Sequence, residues 1–494
     1  MNVSPRRPLF HRRSSSNVYR MFVWTLLLVG GLWVMYGVQR GEIAPLGRPT
    51  PTPTRAAFSF VSEGDDDFTA GDMAAAIIAY QNAIRINPDD AQTWAKLARI
   101  QAYSSTLKTT DADQRDVLHA ALASINKAQA LAPDDSTVAA IRSFVLDWNA
   151  NSVASGDNAP DVLLQAEQEA VRARNLDTTN ILALAYYVEI LVDEQKLAQA
   201  DENMALAIKG GQDLMDVHRI YAYLLESEGD YNAAIDQYNK AILLTPNLTF
   251  LYLRAGANYR RLAYSSTITA EQTQLYDHSL EYFAKAAKID AQLKVLDPIP
   301  YLSISKTYSQ MGEYFIAGQN VQKALDFRPT DADVYGQLGI IFQQSRNYEG
   351  AIPALKCAVR GCTPPESCEG RYGRACNADL NEAGVTVQGL PLTDSTVFYY
   401  AIYGSLMASL SRPQANQCPD AVKVLEEVRA AYSKDTTIMR IVQDSENICQ
   451  SIGKPSSNSV ATATPVNFGA TSTTFVTPTL VPPATPTLVP QATP

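Results

Sequence analysis

"VYGQLGIIFQQSRNYEGAIPALKCAV" occupies Val334–Val359. Its first half sets Tyr335, Leu338, Gly339 and Phe342 at helical spacing, and its second half does the same with Tyr348, Ala351, Leu355 and Ala358. Residues three and four apart share one face of a helix, so each half reads as an amphipathic helix. The second half recurs elsewhere in the chain. "GDMAAAIIAYQNAIRINPDD" (Gly71–Asp90), "GDYNAAIDQYNKAILLTPN" (Gly229–Asn247) and "GEYFIAGQNVQKALDFRPTD" (Gly312–Asp331) follow one order. Each runs Gly, a small residue five on, an apolar residue four further, Ala three further and Pro five further.

This order resembles the tetratricopeptide repeat (TPR), a helix–turn–helix unit of 34 residues. The small residues let the two helices approach, and the proline ends the unit. Counting from these anchors gives eight units over 57–365, at 57–90, 91–135, 136–180, 181–214, 215–248, 249–293, 298–331 and 332–365. A looser unit and a capping helix follow over 395–452. The units at 91–135, 136–180 and 249–293 carry eleven extra residues each. Those residues are polar and lie between the paired helices, which predicts longer second helices with exposed turns. Thr269 followed by Gln272 has the spacing of a capping box, and Pro160 suits a first helical turn.

The resemblance implies an all-α fold, a right-handed helix-turn-helix solenoid. Each helix pair has an apolar face that it buries only by stacking on its neighbours, so such arrays are nearly one-dimensional and present an extended concave surface. Trp94, Tyr252, Tyr301, Tyr335 and Phe342 then read as packing residues.

The two ends differ from this body. Met21–Val38 is eighteen residues without a charge, spanning roughly 27 Å, about the thickness of a bilayer core. Five arginines precede it and three follow, an asymmetry that places the basic tail 1–20 in the cytoplasm and the body outside. A cleaved signal peptide is the rival reading. Residues 39–56 form a Pro/Thr linker, and 453–494 a Thr/Pro-rich tail that lacks the apolar content to fold.

Residues 1–55 hold eight arginines and one glutamate, leaving 33 basic and 50 acidic residues beyond, a net of −17. A body so acidic repels nucleic acid and anionic lipid.

Patterns for chemistry are missing. None of His11, His119, His218 and His278 has a second histidine at helical spacing, so no zinc-protease motif is present. No nucleophile elbow, Walker loop or dinucleotide glycine pattern occurs. "EGDDD" (Glu63–Asp67) lacks the alternating donors of a calcium loop and reads as a solvated helix face. His218 falls at a packing position. No enzyme activity, cofactor, metal or small-molecule substrate is expected.

Binding remains. Members of the TPR family hold ligands along the first helix of each unit. Carried over by position, this implies a protein-binding groove containing Glu189, Asp193, Arg219, Tyr223, Glu226, Arg254, Arg260, Arg261, Lys306, Gln337, Gln343 and Gln344, with a basic patch around 254–261. The Lys/Asn clamp by which some members hold chaperone carboxylates is not found.

All six cysteines lie in the last third: Cys357, Cys362, Cys368, Cys376, Cys418 and Cys449. No pair has zinc-knuckle spacing. Outside the cytoplasm disulfides persist. Cys418 begins one helix and Cys449 nearly ends the next, antiparallel one, so a bridge between them is expected to staple the cap. The other four allow three pairings. Residues 366–394 read as a disulfide-stapled insert, with Val/Thr alternation in "NEAGVTVQGLPLTD" (Asn381–Asp394) suggesting a small hairpin. The resulting expectation is a membrane-anchored, extracytoplasmic scaffold or adaptor of bacterial type for protein or peptide partners. An accessory or regulatory subunit of a membrane-bound enzyme or secretion complex is the alternative.

Overall fold

The computed structural model describes residues 17–40, 55–108, 110–152 and 158–452. The basic tail before Asn17, most of the Pro/Thr linker and the Thr/Pro tail lie outside them. Helix α1 (Val18–Gln39) is the apolar segment, with 22 residues and a mean hydropathy of 1.9, long and apolar enough to cross a membrane.

The body is a succession of antiparallel helix pairs: α2 (Ala57–Thr69) with α3 (Met73–Ile86), α4 (Ala91–Ser104) with α5 (Asp111–Leu131), α6 (Ser136–Ala150) with α7 (Ala159–Leu176), and α8 (Ile181–Asp193) with α9 (Leu197–Gly210). Next come α10 (Met215–Glu228) with α11 (Tyr231–Leu244), α12 (Thr249–Ser265) with α13 (Thr269–Gln292), α14 (Ile299–Gln310) with α15 (Tyr314–Phe327), and α16 (Ala332–Gln344) with α17 (Tyr348–Arg360). A short α18 (Pro364–Tyr372) leads to α19 (Val397–Leu410), α20 (Cys418–Tyr432) and α21 (Thr436–Ile452).

Local chemistry starts these helices. Asp72, Asp90, Thr110, Asp135, Asn180, Asp230, Asp331 and Asn347 each accept a hydrogen bond from a backbone N–H two or three residues on. That satisfies donors a helix start otherwise leaves open. In five of the pairs, the turn uses a left-handed residue. Gly71, Gly229 and Gly312 supply it with φ of 79°, 85° and 82°. Gln195 and Arg346 hold the same place in their pairs with φ of 61° and 62°, against the steric preference of a residue with a Cβ.

Successive pairs are keyed by one repeated bond. Trp94 Nε1, Tyr252 Oη and Tyr335 Oη each donate to the carbonyl of the unit-ending proline six residues earlier, Pro88, Pro246 and Pro329, at 2.9, 2.7 and 3.1 Å. Tyr335 is wholly buried, whereas Trp94 and Tyr252 are half-buried. The lengthened helices α5, α7 and α13 have 21, 18 and 24 residues, against 14 in α3, α9 and α11.

Several sequence expectations change. Thr269 is the first residue of α13 rather than its cap, and Gln272 reaches Ala263 O instead at 3.1 Å. The capping box forms at Thr363 and Glu366, opening α18. The Val/Thr alternation makes a single bridge, Val387 to Cys362, not a hairpin. Its neighbours are tied elsewhere: Val385 N to Ser367 Oγ at 2.9 Å, Leu390 N to Ala358 O at 2.8 Å, and Ala383 O to the Arg371 guanidinium. Asp65 is not simply solvated: it accepts from Tyr80 Oη at 2.7 Å and from Lys96 Nζ at 2.6 Å, joining three helices.

The largest departure is the tightness of the coil. Contacts are not confined to adjacent units. Tyr103 of α4 stacks on Phe250 of α12 with ring centroids 5.7 Å apart, and Arg99 of α4 pairs with Asp216 of α10. The cause is the facing surface of the first helices. Ala95, Ala98, Ala102, Ala139, Ala140, Ala183, Ala185 and Ala222 are all essentially inaccessible there. Side chains this small bring α4, α6, α8 and α10 close together, and the array curls on itself. One apolar core runs from Met73 to Ala255 as a result.

The six cysteines form three disulfides: Cys357–Cys362, Cys368–Cys376 and Cys418–Cys449.

Candidate functional site

The curl forms a cavity of about 550 Å³, walled mainly by the first helices of consecutive units, with Gln114 and Leu118 of α5 and Tyr238 of α11 completing the lining. Its floor is polar and fully buried. Asp216, 1% exposed, accepts from Tyr186 Oη at 2.8 Å and also from Tyr103 Oη and Arg99. Burial alone would raise its carboxyl. The guanidinium groups of Arg99 and Arg219 oppose that and, with the two hydroxyls, hold it below the usual carboxylate range. Arg219 donates from Nη1 and Nη2 to the two oxygens of Glu189, both at 2.6 Å, and from Nε to Tyr103 Oη at 3.1 Å. Its guanidinium lies 5.6 Å from the Tyr103 ring centre and 5.7 Å from those of Phe144 and Trp148. Trp148 Nε1 completes Glu189 at 3.1 Å.

Above this floor lies a second carboxylate pair. Asp193 accepts from Tyr223 Oη at 2.5 Å and from Asn151 Nδ2 at 2.6 Å. Asn151 also reaches Asp147 Oδ1 at 3.2 Å. Burial pushes the Asp193 carboxyl up to about 6, with the charge of Glu189 acting the same way and the Tyr223 hydrogen bond against it. Burial, then the Asp193 and Glu189 charges, push the Asp147 carboxyl well above the usual carboxylate range.

The opposite wall is basic. Glu226 binds Arg254 at 3.2 Å, Arg261, Tyr238 Oη at 3.0 Å and Asn258 Nδ2 at 3.1 Å. Arg254 is 42% exposed along its side chain and lies 5.4 Å from the Tyr223 ring centre.

A family model for the tetratricopeptide repeat matches residues 220–248, which span most of α10 and all of α11. The chain carries a tetratricopeptide-repeat solenoid. Among solved structures, a monomeric mutant of IFIT1 with m7Gppp-AAAA is similar, with a TM-score of 0.50, 12% identity, and 84% of each chain covered. A thermophilic TPR protein in Thermus thermophilus aligns at 18% identity and a TM-score of 0.34, covering 41% of this chain and 98% of that one. No curated protein matches the chain.

In the TPR solenoid, five of the twelve groove residues line the cavity: Glu189, Asp193, Arg219, Tyr223 and Arg254. Two of these, Glu189 and Arg219, are buried structural partners rather than free contact points. Glu226 is not in the cavity lining; it pairs with Arg254 and with Arg261, which is not in the lining either. Arg260 leaves the expected basic patch. It donates to Ser303 O at 3.0 Å and lies over Phe283, so the three arginines do not form one surface. Lys306 and Gln344 are exposed, Gln343 is half-buried, and Gln337 bonds to Asp333 at 2.8 Å. These four do not line the cavity.

Asp147, Trp148 and Asn151 are cavity residues that the repeat positions alone did not single out. Their signal is present in "LDWNAN" (Leu146–Asn151), which ends a first helix with polar groups facing one way. His218 is buried and bonded at both ring nitrogens, to Gln237 at 2.8 Å and Gln212 O at 2.9 Å, a packing role. Among the described residues, no group of three or more His, Cys, Asp or Glu is placed to hold a metal ion.

Proposed function

We propose that this protein is a membrane-anchored, extracytoplasmic scaffold or adaptor that binds protein partners through the inner face of its solenoid. The observation carrying this reading is the cavity itself. It is assembled mainly from the first helices of successive units, and its polar lining is held by a buried network, so the surface is rigid before a partner arrives.

Helix α1 and the arginine bias around it support a single span with the basic tail inside. Three disulfides and no free cysteine among the described residues fit an oxidising compartment. The similar IFIT1 structure holds m7Gppp-AAAA. Here the acidic body and the carboxylates lining the cavity favour a polypeptide over a polyanion.

Affinity capture from a detergent extract of the native membrane tests this. Several soluble or exported proteins captured in proportion to the solenoid support the scaffold. One stoichiometric integral-membrane partner would make the protein a subunit of that complex. Thiol labelling of intact cells, with and without reductant, tests the topology: six freely reactive thiols protected by the membrane would overturn it.

A further inference from the structure

One wall of the cavity holds a carboxylate without a full set of partners. Asp147 is 1% exposed; its Oδ1 accepts from Asn151, and its Oδ2 meets no N–H or hydroxyl donor, only the neighbouring Asp193 carboxyl. Asp193 stands beside it, bridged through the same Asn151 amide. Two carboxylates this close repel one another out of water. The charged groups facing them give little relief. Glu189 adds a third carboxylate, Arg219 is committed to Glu189 through both terminal nitrogens, and Arg254 across the cavity is committed to Glu226. Such a pair either shares a proton or holds a cation.

We propose that Asp147 and Asp193 seat the ammonium group of a lysine side chain from a partner protein. The inference rests on the scaffold reading and names the side chain the groove takes. The chemistry selects the cation in three steps. A quaternary ammonium has no N–H to offer the open oxygens, and the Tyr103, Phe144 and Trp148 faces that would attract it are already covered by Arg219. The planar fork of a guanidinium is best matched, through two parallel bonds, by a carboxylate with both oxygens free, and both Asp193 oxygens are already engaged, by Tyr223 and Asn151. A primary ammonium is a compact charge with three rotatable donors, which suits single acceptor positions on two carboxylates. Leu118, Phe250 and Leu253 elsewhere in the cavity lining give its aliphatic stem apolar surface.

The charge balance is explicit. In the empty cavity the pair retains one proton. The entering ammonium replaces it, so one cation goes in and one proton leaves to solvent. Affinity therefore rises with pH through the range in which Asp193 ionises, about 6, up to the point where lysine itself deprotonates.

The test titrates the full-length protein in detergent micelles with a short acetylated and amidated peptide containing one central lysine. Parallel arms replace that lysine with Nε-acetyl-lysine, arginine or norleucine, and a further arm uses free cadaverine. Calorimetry in two buffers of different ionisation enthalpy reads the proton. The lysine peptide binds with proton release, and the acetylated peptide binds at least about tenfold more weakly, the loss expected for a charged hydrogen bond. D147N/D193N removes the preference for lysine; D193N alone serves if the double variant is unstable.

Equal binding of the lysine and acetyl-lysine peptides, an unchanged preference in D147N/D193N, or binding without proton release overturns the proposal. Cadaverine binding more tightly than the peptide makes the ligand a free amine and overturns it too. If captured protein partners bind wild type and D147N/D193N equally, the lysine seat fails while the scaffold stands. If lysine peptides bind but no protein is captured, the scaffold reading is the one that fails.

Discussion

Arg219 and Glu189 meet through two parallel hydrogen bonds of 2.6 Å, with each side chain only 6% exposed. They come from adjacent repeat units and sit beneath the cavity, so the pair fixes one unit against the next at the place where a ligand would rest. Taking one partner away leaves the other buried and charged. Glu189→Gln or Arg219→Met is therefore expected to cost about 3–5 kcal/mol, while replacing both with apolar residues of similar volume costs far less. Denaturant unfolding of the two single variants and the double variant measures this. Near-additive losses would show that the two charges do not depend on each other.

The intra-pair turns offer a gain. Gln195 and Arg346 adopt the left-handed conformation that Gly71, Gly229 and Gly312 fill in sister repeats. Gln195→Gly and Arg346→Gly should each stabilise by about 0.5–1 kcal/mol, since relief of the Cβ clash exceeds the added chain entropy. A rise in Tm for both is the expected outcome. A fall in either would mean its side chain contributes contacts that outweigh the strain.

A second carboxylate pair sets a pH dependence. Burial, then the charge of Asp297, pushes the Asp290 carboxyl up to about 7, and burial pushes Asp297 up to about 6. Both oxygens of Asp290 and one of Asp297 lack hydrogen-bond partners. Unfolded, both groups ionise near pH 4. Between about pH 4 and 7 the folded state thus binds more protons than the unfolded state, and stability falls as pH rises through that window. Asp290→Asn should flatten this slope and raise Tm at pH 7.5. Melting curves across the range decide it: an unchanged slope in the variant would place the titration elsewhere.

The C-terminal cap depends on a covalent bond. Cys418 opens α20 and Cys449 lies near the end of α21, with Cα atoms 5.4 Å apart at a sequence separation of 31. Opening a loop of that length is expected to cost about 3–4 kcal/mol. In Cys449→Ser the loss should appear first as faster hydrogen exchange in α19 to α21, while α8 to α12 keep their protection. Uniform loosening of the whole body would contradict a locally stapled cap.

Much of this architecture can be read from spacing alone. The Gly–small–apolar–Ala–Pro order places each second helix, and Cys418 and Cys449 fall where antiparallel helices bring them together. What spacing does not carry is curvature. Whether Tyr103 reaches Phe250, or Arg99 reaches Asp216, depends on how closely the alanine faces of α4 to α10 approach over four units. A small tilt per repeat decides it. For the same reason, position within a repeat marked Arg219 and Glu189 as groove residues but could not show them buried. The insert fails differently. Val385 and Val387 alternate like a strand, yet the bonds available to them come from Ser367 Oγ and the Cys362 backbone rather than from a second strand.

Protein partners held on the inner face of the solenoid are the central claim. A photo-crosslinking amino acid placed at Arg254, on the cavity wall, or at Asp236, exposed on the second helix α11, tests it most directly in the native membrane. Irradiation is predicted to give discrete protein adducts from position 254 and none from 236. Adducts from both positions alike, or none from position 254, would contradict the claim.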